Sequence, residues 1–330
     1  MCIRDRYEPL RRQIARRSPE FGCNFSHNSI VITHGAMEAL HLSLRAVASP
    51  GDMIAVESPL FYGALQSIDL LGYRIIEIPT HPRNGMDLDA LEDAIRKHRV
   101  KACMVMSNVH NPLGFVLDES WKRELASLAA IHEIAVIEDE VYGDLCFTPG
   151  ARTTVKQFDK EGLVLLCGSF SKTLGPGYRI GFVEPGRFRP AVEQLQLAST
   201  IGAATLQQLG LADFLASGGY ERHLRRLRSA FERNMQSFGE AVAQHFPPGT
   251  RMTRPGGGFL LWIQLPNRMR GMRLYERARA KGISIVPGDA FSASKSFPGY
   301  IRISCGHPWS SQLEAAVAEL GRICASLPAE

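Results

Sequence analysis

The chain has 330 residues, 45% of them hydrophobic and 22% charged, an ordinary balance for a folded protein with one large core and a smaller second one. Lys and Arg number 38 against 33 Asp and Glu, a net charge of +5, too mild to demand or to exclude an anionic partner. The seven scattered cysteines lack CxxC spacing, which argues against a disulfide framework or a zinc site and for a reduced, cytosolic setting; no apolar run reaches the roughly 18 residues of a membrane span, and no signal peptide is visible.

Residues 1–6 share no pattern with the rest of the chain and read as foreign to the fold. Residues 29–33 form a short β-branched strand. His34-Gly35-Ala36 then opens an amphipathic helix with apolar residues at Ala36, Leu40, Leu44 and Val47. A glycine at such a junction lets the backbone approach a ligand, and the free N–H groups of the helix start bind anions. A turn at 49–52 and a strand at 53–57 lead to Ser58-Pro59-Leu60-Phe61-Tyr62, where two aromatics offer a face on which a flat ring can stack. Helix 62–71, strand 73–78, helix 88–98 and strand 100–106 keep the alternation, which predicts an α/β fold with a mostly parallel sheet and helices on both faces.

Strand 100–106 runs into Ser107-Asn108-Val109-His110-Asn111-Pro112, beyond the carboxyl end of a strand, where open α/β sheets bind ligands. Helix 118–132 and strand 134–138 lead to Glu138-Asp139-Glu140-Val141-Tyr142. An acidic residue at the end of a buried strand is costly without a cationic partner. A metal-binding acidic cluster is the competing reading, and no histidines stand at ligand spacing to support it.

Strand 163–167 enters Gly168-Ser169-Phe170-Ser171-Lys172-Thr173-Leu174-Gly175-Pro176-Gly177-Tyr178-Arg179. Ser169, Ser171 and Arg179 are anion ligands, and Arg holds a phosphate bidentately. Small and apolar neighbours should lower the pKa of Lys172 and free its amine for Schiff-base chemistry. One phosphate site beside one nucleophilic amine suggests pyridoxal 5'-phosphate (PLP), an aldehyde that carries a phosphate. A strand at 181–184 and helices near 187–200 and 205–215 come next. Helix 220–245 carries Arg222, Arg225, Arg226, Arg228 and Arg233, read as a solvated face rather than a phosphate-binding surface. A small α/β unit closes the chain: strand 259–265, helix 272–281, strand 283–286, strand 300–304 and helix 310–325. Arg302 stands alone in an apolar strand. A partly buried arginine wants a carboxylate, so a substrate carboxylate competes with a protein salt bridge.

The stretch SFSKTLGPGYRIGFV, with the NPLG and DEVY motifs before it, resembles the lysine motif and its companions in fold-type I PLP enzymes, the class I/II aminotransferases. It looks most like the aminotransferase-like domain of MocR-type regulators, GntR-family proteins that join such a domain to a DNA-binding winged helix. The resemblance runs from about Tyr7 to the C-terminus. Tyr7–Ala15 is similar to the family's G-[LY]-x-x-L-R-x-x-I-A helix entered part way, with Arg6 in place of the glycine, which implies an N-terminally truncated chain.

The resemblance implies that Gly35 and Ala36 complete the phosphate cradle, with Ala36 contributing backbone only. It implies that Phe61, before Tyr62, stacks on the cofactor. Asn111, rather than Asn108 or His110, and Tyr142 would bond its phenolic oxygen, and Asp139, rather than Glu138 or Glu140, would hold its ring nitrogen protonated. Ser169, Ser171, Lys172 and Arg179 keep the roles read above, and Arg302, with Asn111, would bind the substrate. Lys172, Asp139 and Tyr142 form the implied catalytic set. The expected organisation is a large domain at 30–216, a small domain at 217–330, and residues 1–29 packing with the small domain. The expected activity is transfer of an amino group from an amino acid to a 2-oxo acid by a cytoplasmic homodimer. The alternative is the effector-sensing domain of a transcriptional regulator, meeting DNA only through a winged helix outside this chain.

Overall fold

The computed structural model describes residues 7–148, 152–267 and 269–327; the expectation for residues 1–6 lies outside the described residues. Eight strands build the large sheet: β1 (Val31–Thr33), β2 (Met53–Ser58), β3 (Arg74–His81), β4 (Gly85–Met86), β5 (Val100–Val105), β6 (Ala135–Asp139), β7 (Val164–Ser169) and β8 (Gly181–Glu184). Their spatial order is β1-β8-β7-β6-β5-β2-β3-β4. The five central strands β7, β6, β5, β2 and β3 are mutually parallel, β8 lies antiparallel between β1 and β7, and β4 folds back on β3 as a short edge. The mostly parallel sheet read from the sequence is therefore present.

Helices cover both faces of this sheet because its strands alternate between two cores. Ile54, Val56, Ala102, Met104, Ala135 and Ile137 point to one side, where helices α2 (Ala36–Val47) and α3 (Tyr62–Leu70) pack. Ala55, Cys103, Val105 and Val136 point to the other, under α4 (Leu88–His98) and α5 (Glu119–His132). A parallel sheet buried on both faces needs apolar residues at successive positions. The crossover helices are capped as their sequences suggest. Asp87 accepts from Ala90 N at the start of α4, and Asp118 accepts from Trp121 N at the start of α5.

Helices α6 (Arg189–Ser199) and α7 (Thr205–Ala216) lead to the 27-residue α8 (Gly219–His245). The first half of α8 joins the large domain through Tyr220 and Leu224. Its second half, with Met235, Phe238 and Val242, belongs to the C-terminal core. That core backs a four-stranded antiparallel sheet made of β9 (Arg251–Met252), β10 (Leu260–Gln264), β11 (Val286–Pro287) and β12 (Tyr300–Ser304). Helices α9 (Gly271–Arg279) and α10 (Ser311–Ala325) pack on it. The strand expected at 283–286 shrinks to Val286–Pro287 because the Ile283 amide donates to Ala278 O and closes the last turn of α9. The N-terminal helix α1 (Glu8–Arg17) buries Leu10 and Ile14 against Ile32, Leu166, Phe182 and α7, and touches the C-terminal third at Tyr220 and Leu224 of α8. Among the described residues no helix is long and apolar enough to cross a membrane.

Candidate functional site

The carboxyl ends of β6 and β7, the start of α2 and the loop after β5 converge on one cavity. Its walls include Ala36, Phe61, Asn111, Asp139, Tyr142, Ser169, Ser171, Lys172 and Arg179, together with Met37, Met106 and Val141. A larger concavity of ≈ 660 Å³ opens near Arg251 and Tyr300, and none of the candidate site residues lines it.

The end of the cavity beside Arg179 is assembled from three segments. Ser169 Oγ donates to Ser171 Oγ at 3.1 Å, and Arg179 Nη1 donates to Ser171 Oγ at 3.3 Å. Arg179 Nη2 donates to His34 O at 3.2 Å, which draws the guanidinium over the start of α2. Gly35 makes this approach possible. Its φ is +76°, and a Cβ there would lie 2.7 Å from Arg179 Nη2. Gly35 gives α2 no side-chain cap, so the first-turn N–H groups remain available to an anion. Gly181 falls within the SFSKTLGPGYRIGFV stretch but carries no role in the sequence reading; a Cβ on it would lie 2.6 Å from Gly35 C and 2.8 Å from Gly168 O. Glycine at 181 is what lets β8 close beside the α2 entrance.

Three consecutive carboxylates leave β6 in different directions. Glu138 accepts from Ser107 Oγ at 2.6 Å and from the Val155 and Lys156 amides, away from the cavity. Glu140 pairs with Arg152 at 2.7 Å and accepts from Asn108 Nδ2. Only Asp139 faces the cavity, where it accepts from Val141 N at 3.2 Å. Burial pushes the Asp139 carboxyl up to about 7, with Glu140 and Glu57 adding to the effect and Lys172 opposing it. The three carboxylates do not converge on one point, and among the described residues no group of three His, Cys, Asp or Glu is placed to hold a metal ion.

Lys172 opens to the cavity, its Nζ 5.7 Å from the centre of the Tyr142 ring. The protein surrounding the amine lowers its pKa first, and the Arg302 and Arg179 guanidinium groups lower it further against the pull of Asp139. Small, apolar neighbours were the expected cause; two arginines add to it. Tyr142 is buried and packs edge-on against Phe259.

Of the candidate aromatics, Phe61 lines the cavity, and Gly63 leaves room for its ring. Tyr62 turns instead toward Arg302 and Phe291. Asn111 lines the cavity as well, whereas Asn108 is bound to Glu140 and Lys122, and His110 sits 3.3 Å from Glu57 with both fully buried. Arg302 Nη1 donates to Asn111 Oδ1 at 3.1 Å. That bond fixes the amide orientation and leaves Asn111 Nδ2 as a donor to a ligand. Arg302 Nε is buried without a partner, and no carboxylate among the described residues pairs with this arginine. Among the described residues its neighbours include Asn111 and the Tyr62 and Phe291 rings.

The arrangement can hold a molecule with an anionic end, a flat ring, a basic ring atom and a carbonyl within reach of an amine. The profile of the family described as Aminotransferase class I and II matches residues 7–320. The chain is 38% identical to the uncharacterized HTH-type transcriptional regulator YjiR of Escherichia coli (strain K12), over 94% of this chain and 66% of the relative. It is 39% identical to the uncharacterized HTH-type transcriptional regulator YdcR of the same organism, over 95% of this chain and 67% of the relative. It thus spans about two thirds of the length of these relatives. Among solved structures, the kynurenine aminotransferase of Pyrococcus horikoshii, solved in complex with PMP, superposes with a TM-score of 0.89. The pair are 27% identical, over 98% of this chain and 81% of that one.

Proposed function

The chain belongs to the class I and II aminotransferase family, as a fold-type I domain closely related to those of MocR-type GntR-family regulators, and from that premise we propose that it is a PLP-holding, amino-acid-sensing domain of such a regulator. The observation that carries this reading is the 38–39% identity to two HTH-type regulators along nearly the whole chain. In this reading DNA is met through a winged helix outside this chain, and the domain works as a homodimer in the cytoplasm.

The cavity fits PLP on structural grounds. Ser169, Ser171, Arg179 and the α2 amides, that of Ala36 included, would hold its phosphate, and Phe61 would offer an aromatic face to its ring. Asp139 is the strongest sign of fit: a buried carboxylate pushed up to about 7 is short of a cation. Bound PLP supplies an aldehyde and, once its ring nitrogen is protonated, an electron-withdrawing ring. Asp139 keeps that proton in place. Asn111 Nδ2 and the Tyr142 hydroxyl would serve as donors to the phenolic oxygen of PLP. Lys172, whose surroundings and two neighbouring guanidinium groups disfavour the ammonium form, would be the residue that holds PLP through its Nζ and the base nearest the α-proton of a bound amino acid. Arg302, with its unpartnered Nε, takes the amino-acid carboxylate beside Asn111.

A second reading, full transamination, is favoured by the gathering of Lys172, Asp139 and Tyr142 in one cavity. The same residues serve capture and turnover, so the distinction is kinetic. PLP-loaded protein titrated with amino acids should change its visible absorption while forming 2-oxo acid slowly or only once. Rapid multiple turnover with a 2-oxo acid acceptor would identify a plain aminotransferase.

A further inference from the structure

The lysine loop is gripped from behind by residues that do not line the cavity. Thr173, next to Lys172, is buried. Its carbonyl lies 2.6 Å from His223 Nε2. A carbonyl only accepts, so Nε2 carries the ring proton. The Thr173 hydroxyl lies 2.8 Å from the Tyr220 phenol, and the phenol lies 2.8 Å from Asp144 Oδ2. Tyr220 has one proton to give and the carboxylate is the stronger acceptor, so Tyr220 donates to Asp144 and Thr173 donates to Tyr220.

Asp144 stands two residues past Tyr142 and is also bound by α1. Arg17 Nη2 donates to its Oδ1 at 2.8 Å, and Arg152 pairs with the same carboxylate. Burial alone would raise the Asp144 carboxyl; Arg152 and then Arg17 outweigh it and hold the group well below the usual range. Arg17 further donates to Glu221 at 3.0 Å and lies 4.5 Å from the centre of the Tyr220 ring. Arg228 Nε donates to the Asp144 carbonyl at 2.7 Å. Four segments distant in sequence therefore share one buried polar chain: α1, the turn after Tyr142, the lysine loop and the first turns of α8.

We propose that the chain Arg17–Asp144–Tyr220–Thr173 couples α1 to Lys172, so that a molecule attached at Lys172 alters the local stability of α1. The inference rests on the reading that Lys172 takes PLP. Its physical basis is that a buried hydrogen-bonded chain resists partial breakage. Moving the 172–173 peptide away from Tyr220 would break the 2.8 Å link, leaving the Thr173 hydroxyl only the longer 3.3 Å contact with Phe170 O, and through Tyr220 it would disturb a carboxylate bound by two arginines. Tyr220 and Asp144 are positioning residues, and α1 is the element to which everything earlier in the chain is attached.

The test uses the whole chain, free and after PLP loading and borohydride reduction. Peptide mapping locates the pyridoxyl group, and amide hydrogen exchange tracks residues 8–17. In the wild type, loading should slow exchange in α1 several-fold. Tyr220→Phe keeps the ring beneath Arg17 and removes one hydroxyl; Thr173→Val cuts the same link from the other side. Either variant should still carry the group on Lys172 and should lose the α1 response. Wild-type protein modified at Lys172 with unchanged exchange in α1, or variants that respond as the wild type does, would overturn the coupling and leave the PLP reading intact. An unmodified Lys172 would overturn both.

Discussion

Asp139 is a buried carboxylate, and burial holds its carboxyl above the ordinary range. Its folded pKa, about 7, lies above the ordinary 3.8. The folded state therefore binds this proton more tightly than the unfolded state, and the stability it contributes at low pH is lost as pH rises from about 3.8 to about 7. Asp139→Asn removes that loss. Without PLP the Asn variant should gain stability over the wild type across this window, by up to a few kcal/mol, and the gain should level off above it; urea unfolding at several pH values checks this. The Asn variant should also bind PLP more weakly, because a hydrogen bond to a charged group contributes about 1.5–3 kcal/mol, or roughly 10- to 150-fold in affinity. Equal PLP affinity of the two proteins would contradict the role given to Asp139. Arg302→Met should weaken amino-acid binding by a similar factor, and by more than it weakens PLP binding, read from the visible band, while amines without a carboxylate are affected far less. Equal losses for amino acids and such amines would make Arg302 a structural residue.

At the scale of elements, the turn between β1 and α2 and the start of β8 act as one part. Gly181→Ala would drive a methyl group into the backbone of Gly35 and Gly168. It should cost about 1–3 kcal/mol of stability, as overpacking does. Gly35→Ala adds a Cβ at a backbone conformation that glycine favours, beside the Arg179 guanidinium, so it should lower both stability and phosphate affinity, whereas Gly181→Ala should act mainly on stability; thermal melts and PLP titrations of both variants check this. Much of this level was legible in the sequence. The alternation of apolar runs and helical patterns marked out the sheet, and SFSK with Arg179 marked the anion site. What stayed hidden was set by distance in sequence. Nothing near Arg17 announces Asp144, and nothing near Arg302 announces that its partner is Asn111. Glu138, Asp139 and Glu140 read alike because β6 is apolar on both faces, so no polar face marked which carboxylate met the ligand. The two-residue strands β9 and β11 are fixed by pairing with their neighbours rather than by residue pattern.

At the scale of the molecule, the chain spans about two thirds of the two HTH-type relatives, and its own grip on DNA should be slight. The exposed arginines of α8, among them Arg222, Arg225, Arg226 and Arg233, fall on one helix face within a net charge of +5. Duplex DNA should bind this chain no tighter than the salt-sensitive, sequence-blind range of about 10⁻⁴–10⁻⁶ M; sequence-specific binding by this chain would contradict the placement of DNA recognition outside it. Sensing also needs a path from cavity to surface, and the buried chain from Thr173 to Arg17 supplies one. All of this depends on Lys172 carrying PLP. The direct measurement is borohydride reduction of the PLP-incubated protein, with peptide mass mapping of the product. The expected result is a single pyridoxyl group on Lys172 and none in Lys172→Ala; labelling of another lysine, or equal labelling of the variant, would contradict the assignment.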